Sequence, residues 1–343
     1  MLYHSGITTL PFWRHDSINP NSNNAQRFSP FRITSFMKIS SHNHIRNTFL
    51  FLFHKMLLAV LLSAIALVSA LAASPPVADK SHTTTIRVVA YNVACGQWTT
   101  PEKIADVLKP LHPDLVLLSE VPKADRGKEV KDWSLRLAEA LDLGHVYVGT
   151  ISSANHKSPR WSDQTGNYGG KFKSILSRSP LSQGKDVLVK GTGWKRASAV
   201  RVETEIGGRK FAIYSLHLPG YAHHKTQPTS TTAWEGSKHK SLADQINAEA
   251  PSCDIIVGGD FNEWTDSVVM KSFQKECDLT NAIKDPSIDH ILYSSAKSMT
   301  LLAASRDWGP KDQNDQNKKY EGALSDHPWV WCELEISSSN NTK

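Results

Sequence analysis

The stretch DIIVGGDFN, at residues 254–262, is an apolar run that leads directly into an acid and an amide. The run at residues 254–258 is typical of a buried strand. Two similar junctions follow along the chain, IDHI at residues 288–291 and SDHP at residues 325–328. Together the three segments supply carboxylates for a hard cation and a carboxylate that can orient a histidine. Their fixed order indicates the chemistry of metal-assisted phosphoester hydrolysis.

Working outward, the body of the chain alternates strands and helices early and antiparallel strand pairs later. We predict helices at residues 100–108, 128–141, 235–248 and 267–274. We predict strands at residues 86–92, 114–119, 146–151, 171–177, 186–189, 197–205, 209–216, 254–258, 288–293, 300–304 and 329–336. This order predicts two sheets packed face to face with helices outside.

The net charge of the chain comes mainly from its first part. The 343 residues carry a formal charge of +6, with 39 Lys or Arg and 33 Asp or Glu. Residues 1–72 hold six of the basic residues and one of the acids, so the rest of the chain is near +1. Charge therefore gives little support to avid polyanion binding. A hydrophobic content of 40% fits a globular protein with one large domain.

The beginning of the chain predicts export. We expect residues 1–55 to be disordered or an over-extended N-terminus, residues 56–72 a signal peptide and residues 73–85 a linker. The domain then covers residues 86–336 and a flexible tail residues 337–343. The apolar run after Lys55 ends in Ala70-Leu71-Ala72, a small-x-small cleavage pattern. Cleavage gives a secreted or periplasmic protein with no stable membrane association. An uncleaved segment, the alternative, would anchor it in a membrane.

Export permits disulfides, and the body contains four cysteines. Cys253 and Cys277 bracket the segment of Asp260 and are candidates for a disulfide. Four buried free thiols, with Cys95 and Cys332, are the open alternative. No CxxC occurs, so a structural zinc site is not expected.

Polar side chains follow the predicted strands at one rim. Strand ends are natural places for a site, because sheets hold them rigidly while the loops stay open to substrate. In chain order these residues are Asn92, Glu120, His217, Asp260, Asn262, Asp289, Asp326 and His327.

The motifs around these residues resemble those of the endonuclease/exonuclease/phosphatase superfamily, which has the deoxyribonuclease-I-like fold. Besides GGDFN, IDHI and SDHP, they are YNV at residues 91–93, LSEV at 118–121, SILSRSPL at 174–181 and SLHL at 215–218. The match covers about residues 86–336. The resemblance implies an α+β fold, a four-layer αββα sandwich with two packed mixed β-sheets and helices outside.

Three residues are candidate metal ligands. A carboxylate after a buried strand is costly without a partner, and Mg²⁺ prefers few carboxylates plus waters, so Glu120 is the first choice. The alternative is a solvated acid at a strand end. The resemblance makes Glu120 the principal Mg²⁺ ligand, with Mn²⁺ able to substitute. It also implies that Asn92 positions the metal or its water, and that Asp326 lies near the cation.

Five residues are candidates for the chemical step. A carboxylate bonded to one imidazole nitrogen fixes the tautomer and raises basicity, so Asp289 and His327 are predicted to pair. His327 then acts as general base or contacts the phosphate as imidazolium. Asp260 and Asn262 lie two apart and are expected to point the same way. The resemblance implies that Asp260 orients or deprotonates the attacking water and Asn262 holds a phosphate oxygen. His217 would stabilise charge on the phosphoryl oxygens.

Some positions depart from the family pattern or are set aside. Ala94 stands where some members carry a second acid, which favours a one-ion site. Lys173 stands where members often carry Asn, and either meets a phosphate or is solvated. His290 follows Asp289 and is expected to face the other side. His223 and His224 are read as part of a polar loop rather than a zinc site.

These features predict a secreted, monomeric, Mg²⁺-dependent phosphoesterase acting by metal- and His-assisted water attack. Its substrates would be phosphodiesters, including DNA or RNA, or phosphomonoesters. A nuclease would use basic residues along the rim, for which Lys157, Arg160, Lys173, Lys195 and Arg196 are available. A sphingomyelinase-like lipid phosphodiesterase is one alternative, and a catalytically inactive binding module of the same fold is another. A Ser-His-Asp hydrolase is disfavoured because no G-x-S-x-G occurs.

Overall fold

The structure is a computed structural model that describes residues 8–9, 83–96, 98–122, 132–152, 171–193, 197–220, 234–295, 298–309 and 324–338. The predicted signal peptide lies outside these residues. So do the basic residues Lys157, Arg160, Lys195 and Arg196, and the histidines His223 and His224. Within the described part of the chain, no helix combines the length and apolarity needed to cross a membrane.

Thirteen strands and four helices make up the described fold. The helices are α1 (Pro101–Leu108), α2 (Trp133–Ala140), α3 (Lys238–Glu249) and α4 (Val268–Cys277). The first strands are β1 (Thr8–Thr9), β2 (Thr83–Asn92), β3 (Leu115–Val121), β4 (His145–Val148), β5 (Phe172–Ser177), β6 (Ser182–Leu188) and β7 (Ser198–Ile206). The others are β8 (Arg209–His217), β9 (Asp254–Asp260), β10 (Leu279–Asn281), β11 (Asp289–Ser294), β12 (Met299–Asp307) and β13 (Trp329–Ser337).

The strands form two mixed sheets. The first has the order β1-β4-β5-β3-β2-β13-β12 and the second the order β10-β11-β9-β8-β7-β6. The β2–β3 pair in the first sheet and the β8–β9 pair in the second are parallel, and all other described pairs are antiparallel. The prediction of two packed mixed sheets is therefore confirmed.

Alternation along the strands produces the layers, because successive side chains of a strand point to opposite faces. In β2, Val88 joins the apolar layer between the sheets, where it packs with residues such as Ile256 of β9. Val89 points the other way, into the layer that contains Ile104 of α1. The second sheet is covered in the same way by α3 and α4, whose residues join those of β8 and β9 in a third cluster. The helices therefore lie outside the two sheets, as predicted.

Two glycines before Asp260 allow β9 to pack closely on its neighbours. A Cβ at Gly258 would lie 2.9 Å from Leu117 Cδ1 and 3.3 Å from Ala90 Cβ, both in the first sheet. Gly259 has a φ of 132°, and a Cβ there would lie 2.4 Å from the Leu216 carbonyl oxygen of β8, in the same sheet. A side chain at either position would push β9 away from these neighbours. Gly258 thus lets the end of β9 lie close to the opposite sheet.

The observed elements differ from the predictions mainly at their ends, which shift by up to four residues in the strands. The predicted strands do not include β1 or β10. β1 has only two residues and lies in the segment expected to be disordered or an over-extended start, and in β10 three residues directly after a helix give no usable alternation. All four cysteines are free thiols, so the alternative of a disulfide between Cys253 and Cys277 is not what the structure shows. Three of the thiols are buried, whereas Cys253 is partly exposed.

Candidate active site

Strands from both sheets end at one site. The parallel pairing places the end of β2 beside that of β3, and His217 at the end of β8 beside Asp260 at the end of β9. Antiparallel pairing adds Asp289, the first residue of β11, opposite Asp260. Asn92 and Glu120 come from the first sheet, and all five side chains are buried. The structure thus brings together residues that lie far apart in the sequence.

Glu120 occupies an irregular part of β3. The pairing with β5 shifts register between Leu118 and Val121, and Glu120 itself has a φ of 53°. A left-handed backbone at a residue other than glycine costs about 1–3 kcal/mol and is concentrated at functional sites. The residue is only 6% exposed to solvent. Its Oε1 accepts a hydrogen bond from the Lys171 ammonium, and Cys95 Sγ lies 3.6 Å from Oε2.

Asp260 is the centre of the hydrogen-bond network. Its Oδ2 accepts from Asn92 Nδ2 at 3.0 Å, and its Oδ1 accepts from the Asn262 amide at 2.9 Å. His217 Nε2 lies 3.4 Å from the same Oδ2, and 3.6 Å from Glu120 Oε1. Burial raises the pKa of Asp260 to about 7, against the opposing effect of the nearby His327. A carboxyl of this pKa can exchange a proton near neutrality.

The predicted contact between Asp289 and His327 is present. His327 Nδ1 lies 2.8 Å from Asp289 Oδ2, and Asn92 Nδ2 lies 3.4 Å from Nε2 on the other side of the ring. Burial alone would lower the pKa of His327, but Asp289 and Asp260 outweigh it and hold the pKa well above its usual value. The raised pKa favours the imidazolium form, in which Nε2–H and the Asn92 amide are both donors, so their contact is then not a hydrogen bond. This form favours the role of His327 as a cation over its role as general base.

His217 has the opposite electrostatic character. Burial lowers its pKa well below the usual value, and the positive charges of Lys171, Lys173 and His327 lower it further. The imidazole is therefore neutral at pH 7, and it can interact with a phosphoryl oxygen only as a hydrogen-bonding dipole.

Asn262 and Asp326 lie at the edges of the site. The expectation that Asp260 and Asn262 share a strand face does not hold, because β9 ends at Asp260 and Asn262 is left-handed, with a φ of 52°. Its Nδ2 donates to the Leu218 carbonyl oxygen at 2.9 Å. The Asp326 side chain is 43% exposed and its Oδ1 lies 4.0 Å from His327 Nε2.

Two lysines at the start of β5 lie near Glu120. Lys171 directly precedes β5 and pairs with Glu120, a contact that the sequence reasoning missed. Lys173 lies two residues further on and is 0% exposed, so the alternative of a solvated lysine is wrong. Burial lowers the pKa of Lys173 to about 8, while Asp186 and Glu120 act to raise it.

Two buried histidines hold the segment after Asp260. His239 Nε2 lies 2.9 Å from the Phe261 carbonyl oxygen, and His290 Nε2 lies 2.9 Å from that of Glu263. Since a carbonyl oxygen only accepts, each Nε2 carries the proton. His290 Nδ1 then accepts from Asn281 Nδ2 at 3.1 Å. His290 is thus a structural neighbour of Asp289, in agreement with its omission from the predicted site.

These two histidines predict a loss of stability on acidification. Burial lowers the pKa of both His239 and His290 from 6.5 to about 4. The unfolded chain therefore binds more protons between these values, and stability falls as pH decreases from about 6.5 to about 4. Each pKa shift corresponds to roughly 3 kcal/mol of unfolding free energy that is lost once the pH falls below the folded-state pKa. Urea unfolding at several pH values measures the slope, which we expect to decrease in His239→Gln and His290→Gln. An unchanged slope in both variants would contradict this assignment.

Comparison with known proteins identifies the family. The sequence profile of the Endonuclease/Exonuclease/phosphatase family matches residues 89–327. The chain belongs to this family. Members of the Endonuclease/Exonuclease/phosphatase family are generally hydrolases that act on phosphoester bonds and generally depend on divalent metals. No curated protein sequence matches the chain.

Solved structures of the Endonuclease/Exonuclease/phosphatase family share the fold. A member from Beutenbergia cavernae superimposes with a TM-score of 0.53 at 19% identity, covering 74% of this chain and 72% of its own. The human Nocturnin catalytic domain with bound sulfate anion gives 0.52 at 18% identity, covering 75% and 97%. A member from Bacteroides vulgatus gives 0.52 at 14% identity, covering 74% and 100%. At these identities the similarity concerns the fold alone.

The donor set fits the divalent metal that the Endonuclease/Exonuclease/phosphatase family generally uses. Ligand atoms of Glu120, His217 and Asp260 lie within 4.8 Å of one another, as do those of Asp260, Asp289 and His327. Carboxylate oxygens are the ligands that hard cations prefer. The second group suits a cation less well, because its imidazole is protonated and bonded to Asp289. The first group therefore marks the place of the candidate metal site, with Glu120 as the candidate ligand.

Proposed function

We propose that this chain is a secreted, Mg²⁺-dependent phosphoesterase. Its substrate is a phosphodiester, such as that of DNA or RNA, or a phosphomonoester. The observation that carries the proposal is the convergence of Glu120 and Asn92 from one sheet with His217, Asp260 and Asp289 from the other, next to a protonated His327. That combination supplies a cation site, a carboxyl of near-neutral pKa and fixed positive charge within one buried centre.

The proposed mechanism gives each residue one task. Glu120 would hold the cation, with Asn92 and Asp326 nearby. When bound, Mg²⁺ would supply Lewis-acid stabilisation of charge on the phosphoryl oxygens. Asp260 orients the attacking water and takes its proton, since its raised pKa suits a general base.

The imidazoles contribute electrostatics. His327, oriented by Asp289, stabilises developing negative charge as an imidazolium. His217 contributes a neutral hydrogen bond from the opposite sheet. Asn262 is positioned by the Leu218 carbonyl oxygen, with its backbone amide bonded to Asp260, and is the candidate to hold a phosphate oxygen.

The substrate class is supported only at the level of phosphoesters. A tetrahedral oxyanion suits the positive charge of His327 and Lys171. The human Nocturnin domain of the same fold carries a bound sulfate anion. Lys173 is buried rather than placed along the rim, so it does not serve as a surface contact for a polyanion.

A side-by-side substrate panel tests the proposal. Plasmid DNA, RNA, sphingomyelin and a phosphomonoester are each incubated with the protein in Mg²⁺, in Mn²⁺ and in EDTA. We expect hydrolysis of at least one substrate with either metal and none in EDTA. Cleavage of sphingomyelin alone would favour the lipid phosphodiesterase. Failure on every substrate with both metals would contradict the proposal and favour the inactive binding module.

Secretion is a separate part of the proposal. It is supported by the apolar run of residues 57–73 and the small-x-small pattern that ends it. Mass spectrometry of the mature protein isolated from its natural source should find an N-terminus near residue 73. Recovery of intact residues 56–72 in the mature protein would contradict cleavage.

A further inference from the structure

The lysines of the segment KFK, residues 171–173, bring positive charge to the carboxylate side of the site. Lys171 directly precedes β5 and Lys173 lies within it. The Lys171 ammonium pairs with Glu120, and its side chain is 13% exposed, so it can be reached from solvent. Lys173 is fully buried. Of the two, only Lys171 is accessible to a bound substrate.

Stability does not account for this lysine. A buried or half-buried ion pair contributes little compared with apolar residues of similar volume, because both charges lose hydration. An ammonium retained beside the candidate metal ligand therefore needs another explanation.

The groups around Glu120 locate the ammonium. Lys171 Nζ pairs with Glu120 Oε1, and His217 Nε2 lies 3.6 Å from the same oxygen. Cys95 Sγ lies 3.6 Å from the other carboxylate oxygen, Oε2. The ammonium thus lies where Glu120, His217 and Cys95 meet. A phosphoryl group bound beside Glu120 would come within reach of this donor.

We propose that Lys171 is a catalytic residue whose ammonium donates to a non-bridging phosphoryl oxygen of the substrate beside Glu120. This inference rests on the proposed phosphoesterase function and extends it. The ammonium forms no covalent bond and transfers no proton. It stabilises the negative charge that grows on the phosphoryl oxygens as water attacks, a task that suits a fixed cation in a buried site. Lys171 leaves Glu120 in part when the phosphoryl oxygen takes over as acceptor.

The test compares Lys171→Met and Lys171→Arg with the parent in the full chain. The substrate found in the panel is used at saturating Mg²⁺, and kcat and KM are measured separately. We expect kcat to fall about 10²–10³-fold in Lys171→Met. Arginine should restore at least part of the loss, since it keeps the charge. Lys210→Met is the matched control, because Lys210 pairs with Glu203 2.9 Å away on the surface and should leave kcat unchanged.

Two binding measurements separate this role from simple pairing with Glu120. Calorimetric titration with Mg²⁺ should show equal or tighter binding in Lys171→Met, because a cation that competes for the carboxylate is gone. Titration with inorganic phosphate in EDTA should show at least tenfold weaker binding than in the parent. If kcat of Lys171→Met stays within threefold of the parent, or recovers fully at higher Mg²⁺, the proposal is overturned.

The phosphate titration also separates this inference from the proposed function. Suppose that the parent hydrolyses no substrate, but that it binds phosphate and Lys171→Met does not. The phosphoesterase function would then be contradicted, whereas the anion site at Lys171 would be supported. If the parent is active and Lys171→Met binds phosphate and turns over normally, only the proposed role of Lys171 is contradicted. Should Lys171→Met fail to fold, Lys171→Gln, which keeps a donor for Glu120, replaces it in every measurement.

Discussion

Asp260→Asn is expected to lower kcat by roughly 10²–10⁴-fold, the range for loss of a general base. The amide cannot take a proton from water, although it fills the same volume between the sheets. The hydrogen bond from the Asn262 amide can be kept, but the contact with Asn92 then becomes a donor facing a donor. Steady-state kinetics at saturating Mg²⁺ measures the effect.

The same variant should keep the stability of the parent. Burial makes the charged form of Asp260 unfavourable, as its raised pKa shows. Removing that charge offsets the mismatch with Asn92, which costs about 1–3 kcal/mol. We therefore expect unfolding free energies that differ by less than about 2 kcal/mol.

Asp254→Asn is the matched control, at the opposite end of β9. Asp254 accepts from Arg209 Nε at 2.7 Å and from Ser298 Oγ at 3.0 Å, far along the strand from Asp260. Its substitution should cost about 1–3 kcal/mol of stability and leave kcat unchanged. If Asp260→Asn instead retained turnover, or lost it only through unfolding, the assignment of the general base would be wrong.

Glu120→Gln is expected to abolish the dependence on divalent metal together with most of the activity. A metal ion contributes several kcal/mol of transition-state stabilisation, so its loss corresponds to a rate decrease of at least about 10³-fold. Glutamine keeps an oxygen that can accept from Lys171, which limits the effect on folding. The parent should gain thermal stability on adding Mg²⁺, and the variant should gain none.

Glu333→Gln provides the corresponding control. Glu333 lies on β13 and pairs with Arg87 at 3.0 Å, outside the site. Its variant should keep both the Mg²⁺-induced shift of the melting temperature and the activity. A Glu120→Gln protein that still shows the shift and full turnover would place the metal elsewhere.

The sequence predicts the framework of the site because that framework depends on local patterns. Apolar runs define β3, β9 and β11, and the polar residue at each strand end follows directly from the pattern. Parallel pairing then brings Asn92 and Glu120 to one edge, and His217 and Asp260 to another. The Asp289–His327 contact follows from chemistry alone, since an acid and an imidazole at such ends stabilise each other.

What the sequence does not predict depends on contacts between distant segments. Lys171 looks like the solvated start of a strand until Glu120 is placed opposite it. His239 looks like a surface residue of a polar helix, yet it is buried against the Phe261 carbonyl oxygen. The predicted direction of the Asn262 side chain is wrong for a different reason. Asn262 itself has a left-handed backbone, which ends the strand alternation that the prediction assumed.

The position of β13 has a consequence for biosynthesis. Among the described elements it is translated last, yet it lies between β2, the first long strand, and β12. His327 lies two residues before it, so the imidazolium reaches Asp289 only after this late strand pairs with β2. A nascent chain on the ribosome therefore holds an incomplete reaction centre.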